Sequence, residues 1–148
     1  MAADPNKLSD PADVRKLLAN AERLSATELA DACRRRLYEL GGVDLNDPVE
    51  RRLAQAVSAL EESYREKHGR AQAAGYTRRK IAKDGAIATL SDWALKPDVT
   101  PGFVALVEAG HAEFTGEYVV AEFPERFEPH VVEAARKRLQ EHGVKLPN

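Results

Sequence analysis

Cysteine is nearly missing: Cys33 stands alone among 148 residues, so neither an internal disulfide nor a thiolate zinc cluster can form. A chain of this kind is expected in the reducing cytoplasm. Uninterrupted apolar runs of about eighteen residues, the length of a membrane span, are absent, and the opening MAADPNKLSDPADV lacks the apolar stretch of a secretory signal. No membrane contact is expected. Aromatic residues are sparse, with four Phe, four Tyr and one Trp, which favours aliphatic helix packing over an aromatic-rich β-sandwich.

Several catalytic signatures are missing as well. His111 and Glu113 form an H-x-E, but the P-C-x-x-C that completes a zinc deaminase site cannot come from a single cysteine. There is no H-E-x-x-H, no G-x-x-x-x-G-K-[ST], no G-x-G-x-x-G and no G-x-S-x-G. No lysine has Asp or Glu two positions before it, the spacing in which metal-dependent nucleases hold an ion and steady a phosphate. Neither a cofactor nor a metal is implied, and an enzyme is the least expected class. Cys33 falls on an apolar stripe with Leu29 and Leu37 and reads as a small buried hydrophobe, and Trp93, beside Leu90 and Ala94, reads as a core anchor. His111 reads as a loop residue at a helix end.

Helix punctuation is what the chain has in abundance. Proline at the first helical position loses no hydrogen bond, because that N–H has no partner within the helix. Asp10-Pro11, Asp47-Pro48 and Thr100-Pro101 each precede an apolar-periodic run on this pattern. Ser25 with Glu28, and Asp47 with Glu50, have capping-box spacing. From Asp47 the apolar positions Val49, Leu53, Ala56, Val57, Leu60 and Tyr64 keep helical spacing and predict the longest helix. Beyond Tyr64 the stripe fades, and either the helix projects past the core or it breaks and restarts near Thr77. Tyr118 to Ala121 suits a helix capped by Thr115 better than a strand with no partner. The expected fold is an all-α, compact single-domain bundle of about six or seven helices with one long central helix, over residues 10–148. Residues 1–9 are expected to form a disordered or extended tail. Segments 31–42 and 133–144 resemble one another, and both duplication and convergence of amphipathic helices account for that.

Charge is unevenly spread behind a net value of −2. Residues 65–83 hold Arg65, Lys67, Arg70, Arg78, Arg79, Lys80 and Lys83 against Glu66 alone. Residues 108–133 carry seven glutamates and one basic residue, Arg126. The basic segment has few core side chains and two glycines, Gly69 and Gly75. Phosphates need cations that reach them together, and a helix start near Thr77 would add backbone N–H groups. The sequence therefore predicts a small helical protein binding DNA or RNA. Its phosphate contacts would come from Arg65, Lys67, Arg70, Thr77, Arg78, Arg79, Lys80 and Lys83, with Tyr76 available to stack on a base. The alternative is an interaction or homodimerisation module in which the basic segment meets the Glu-rich region 108–133.

Overall fold

The computed structural model describes residues 4–70 and 72–147, and among these it contains eight α-helices and no strand. Of the tail expected over residues 1–9, residues 1–3 lie outside the described residues. The rest forms a 3-10 turn at Pro5–Lys7 that buries Pro5. The helices are α1 (Pro11–Arg23), α2 (Thr27–Leu40), α3 (Pro48–His68), α4 (Gly75–Asp84), α5 (Ala86–Leu95), α6 (Pro101–Glu108), α7 (Gly116–Glu122) and α8 (Pro129–Glu141). There are eight instead of six or seven because Gly85, at φ 87°, separates α4 from α5.

The proline-marked starts form as their chemistry dictates. Asp10 accepts from the Ala12 N–H at 2.9 Å, Asp47 from Glu50 at 3.0 Å and Thr100 from Phe103 at 3.1 Å. Thr115 caps α7 through the Tyr118 N–H at 3.2 Å, so residues 118–121 are helical. Ser25 behaves differently from its expected role. Ala26 occupies the N-cap of α2 without a side-chain bond, and Ser25 has φ 57°. The Ser25 N–H donates to Glu22 O and the Ala26 N–H to Ala21 O, which is the Schellman closure of α1. Terminating one helix took precedence over capping the next, because α1 and α2 are joined by a link too short for both.

Apolar burial is organised around α3. Its Val49, Leu53 and Val57 pack with Leu90 and Ala94 of α5, Val119 and Val120 of α7, and Val131 and Ala135 of α8. Ala59 faces another way, joining Val14 of α1, Cys33, Leu37 and Tyr38 of α2, Leu106 of α6 and Phe114. Cys33 is fully buried, and burial pushes its thiol above the ordinary value. A third group, Phe103, Ala121 and Leu139, closes α6 against α7 and α8.

His111 is not a surface loop residue: it is 2% exposed. Its Nε2 lies 2.5 Å from Asp31 Oδ1 and its Nδ1 3.2 Å from the Tyr38 hydroxyl. With the proton on Nε2, the imidazole donates to Asp31 and accepts from Tyr38, so both polar contacts are satisfied. Burial raises the Tyr38 phenol well above its usual value and keeps it a donor. Burial alone would raise the Asp31 carboxyl, but His111 and Arg35 outweigh it and hold the group below its usual range. These contacts pin the segment after α6 onto α2.

Two stability measurements test these assignments. Ser25→Gly removes the side-chain penalty of a left-handed backbone and should stabilise the fold by about 1 kcal/mol in a urea titration. His111→Ala strips the buried Tyr38 hydroxyl of its acceptor and leaves a cavity, and should cost about 3 kcal/mol in the same assay.

Candidate nucleic-acid interface

The basic segment begins on the last turn of α3, whose apolar stripe runs out at Tyr64. Gly69 ends that helix at φ 72°, with its N–H bonded to Arg65 O. The chain restarts at Gly75, two residues before the expected position at Thr77. What fixes the restart is Glu61 on α3, which accepts the Ala74 N–H at 2.8 Å. The same carboxylate receives both arms of Arg78, Nε at 2.7 Å and an Nη at 2.5 Å. One glutamate thus sets both the start and the roll of α4.

That arrangement divides the cations into two groups. Arg78 is committed to Glu61, Arg65 lies 3.7 Å from Glu62, and Lys80 bridges Asp84 at 3.0 Å and Asp92 at 2.7 Å. Lys80 is held well above the ordinary lysine value, first by Asp92 and then by Asp84. By contrast, Lys67, Arg70, Arg79 and Lys83 are exposed and make no ion pair among the described residues. Glu66, the one acid in the segment, is engaged at 2.5 Å by Arg34 of α2 and does not neutralise them.

With Arg78 turned toward α3, the outward stripe of α4 becomes Tyr76, Arg79 and Lys83, spaced i, i+3 and i+7. The Tyr76 ring is 74% exposed. Arg79 folds back over the first turn, its guanidinium 3.2 Å from where a Gly75 Cβ would stand. That turn has no side-chain cap. Thr77 is half-buried and lines a cleft together with Tyr64, Lys67 and Tyr76. Tyr76, Arg79 and Lys83 also border a shallow depression with Lys80 and Asp84.

Three of the seven glutamates of the Glu-rich region are matched elsewhere, and the other four, Glu108, Glu125, Glu128 and Glu133, are exposed. Glu113 pairs with Arg35, Glu117 with Arg138 at 3.1 Å, and Glu122 with Arg52 at 2.9 Å. Among the described residues, no ion pair joins the region 108–133 to the basic segment. Nor do His, Cys, Asp and Glu side chains gather in threes where they could hold a metal ion. No helix there is long and apolar enough to cross a membrane. The chain matches no protein-family model, no curated protein and no solved structure.

Sequence reasoning missed Glu61, because its partners are 13 and 17 residues away and belong to another helix. Burial would raise the Glu61 carboxyl, but Arg78 and the Ala74 N–H outweigh it and lower it below the ordinary 4.5. A carboxylate whose pKa falls on folding stabilises the fold fully above its unfolded value, and that contribution disappears as the pH drops through the folded value. Glu61→Gln should therefore destabilise the protein by about 1 kcal/mol at neutral pH, a figure kept small by the exposure of Arg78. Urea titrations at stepwise lower pH should show the difference from wild type shrinking below pH 4.5.

Proposed function

We propose that the protein binds nucleic acid, preferring single-stranded DNA or RNA, through the outer face of α4 and the end of α3. The observation that carries this reading is Tyr76, an aromatic ring 74% exposed on the same helical stripe as the unpaired cations Arg79 and Lys83. An exposed aromatic ring flanked by cations suits a base stacked between two phosphates. Lys67 and Arg70 extend the positive track at the end of α3. The uncapped first turn of α4, with Arg79 over it, adds donors for a phosphate. Arg78 positions this face by its hold on Glu61, and Lys80 does so through Asp92.

A polarisation titration with labelled single-stranded and duplex oligonucleotides at several salt concentrations tests the reading. Four phosphate contacts on a single strand give a log–log salt slope of about −3. Tyr76→Ala should weaken single-strand binding about tenfold with little change of slope. The double substitution Arg79→Glu/Lys83→Glu should lower affinity further and flatten the slope by about half. Absence of salt-dependent binding by the wild type overturns the proposal, as does binding indifferent to Tyr76, Arg79 and Lys83.

A further inference from the structure

A cleft of about 380 Å³ opens between α3, α5, α6 and the start of α7. Its long wall is one stripe of α3, Ala56, Leu60, Tyr64 and Lys67, which share a helical face and span about 16 Å. The stripe has a chemical direction. Phe114 lines the cleft with Ala56 at one end, its ring buried with Tyr38 and Leu106 and 5.4 Å from the Arg52 guanidinium. At the other end the wall finishes at Lys67, an exposed lysine, where Tyr76 and Thr77 of α4 also line the cleft.

Glycine shapes the facing wall. A Cβ on Gly116 would come within 2.6 Å of the Trp93 ring, so α7 approaches α5 only without a side chain there, and one on Gly102 would have to displace the Leu60 methyl end at 2.8 Å. Trp93 packs against the core around Leu90 and Ala94, as expected, and its remaining half-exposed surface lines the cleft.

The charge on the walls is unbalanced. Glu117 is the one carboxylate, and it is 6% exposed and matched by Arg138 at 3.1 Å. Arg138 is fixed in turn by the carbonyls of Trp93 and Lys96. Lys67 and Lys96 have no carboxylate partner among the described residues. The unmet charge is positive and sits at the rim, while the interior is aromatic and aliphatic.

We propose that this cleft binds a small apolar monocarboxylate, with its aryl or alkyl body along Leu60, Tyr64 and Trp93 and its carboxylate at Lys67. The volume falls in the range of small-molecule sites, and an apolar body with one charged end is what walls of this polarity select. The site is separate from the outer stripe of α4: Arg79 and Lys83 take no part in it, although Lys67 and Tyr76 border both.

Trp93, the chain's single tryptophan, reports occupancy directly. The full chain is titrated with 4-phenylbutyrate, and with 4-phenylbutanol as the uncharged counterpart, while Trp93 emission and calorimetric heat are followed. Saturable binding of the acid is expected, with the alcohol weaker by about threefold or more, the size of an exposed charge contact. Lys67→Glu, a surface change that leaves the core intact, should reduce affinity for the acid and not for the alcohol. Ala56→Met should fill the apolar end and weaken both. Amide shift mapping of the wild type should place the acid along residues 56–67 of α3. No saturable response to the acid, equal affinity for acid and alcohol, or indifference of acid binding to Lys67→Glu would overturn the proposal. Arg79→Glu/Lys83→Glu should leave phenylbutyrate binding unchanged, so failure of either functional reading is distinguishable from failure of the other.

Discussion

A helix of 21 residues that must bury two faces at once is the constraint on which the rest of this fold depends. The stripe from Val49 to Val57 demands one apolar partner layer, and Ala59 on another face demands a second. No single neighbouring helix covers both. The chain answers with α1 and α2 on one side and α5, α7 and α8 on the other, and α6 closes the join. Ala59 packs with residues of α1, α2 and α6, whereas Leu53 packs with α5, α7 and α8. Truncating Leu53 would open a cavity in the second group, while enlarging the buried Ala59 would overpack the first.

Arginine does much of the joining between these layers. Arg52 reaches from α3 to Glu122 and to the Glu113 carbonyl, Arg35 from α2 to the Gly110 carbonyl, and Arg138 from α8 to the end of α5. Each brings a guanidinium to backbone oxygens at or just beyond helix ends. A planar fork with several donors serves this purpose better than an ammonium, because one side chain can satisfy a carbonyl and a carboxylate together. Glu113, Glu117 and Glu122 are thereby absorbed into the architecture, while Glu108, Glu125, Glu128 and Glu133 stay exposed to solvent.

Local chemistry was legible in the sequence to the extent that it acts over a few residues. The starts at Pro11, Pro48 and Pro101 were readable because cap and proline sit side by side, and so was the α7 start at Thr115. Ser25 misled because the same residue types cap one helix or close another, and φ 57° declares itself only once α1 and α2 are packed. The burial of His111 rests on Asp31 and Tyr38, 80 and 73 residues away, and no local pattern carries that information. In the basic segment the cations were countable but their commitments were not. Glu61, Glu62 and Asp92 lie outside it and claim Arg78, Arg65 and Lys80. Exposed Tyr76 was identifiable as a residue but not as the start of a stripe, since the roll of α4 is set by Arg78.

None of the ten residues of α4 is fully buried. The helix is moored by the Glu61–Arg78 fork and the Lys80–Asp92 bridge, with Ile81 giving it only a partial apolar hold. Moorings made of charge loosen as ions are added, whereas the oily layers around α3 do not. Ionic strength therefore acts on α4 itself, through the ties that keep its outer stripe in register with the body of the protein.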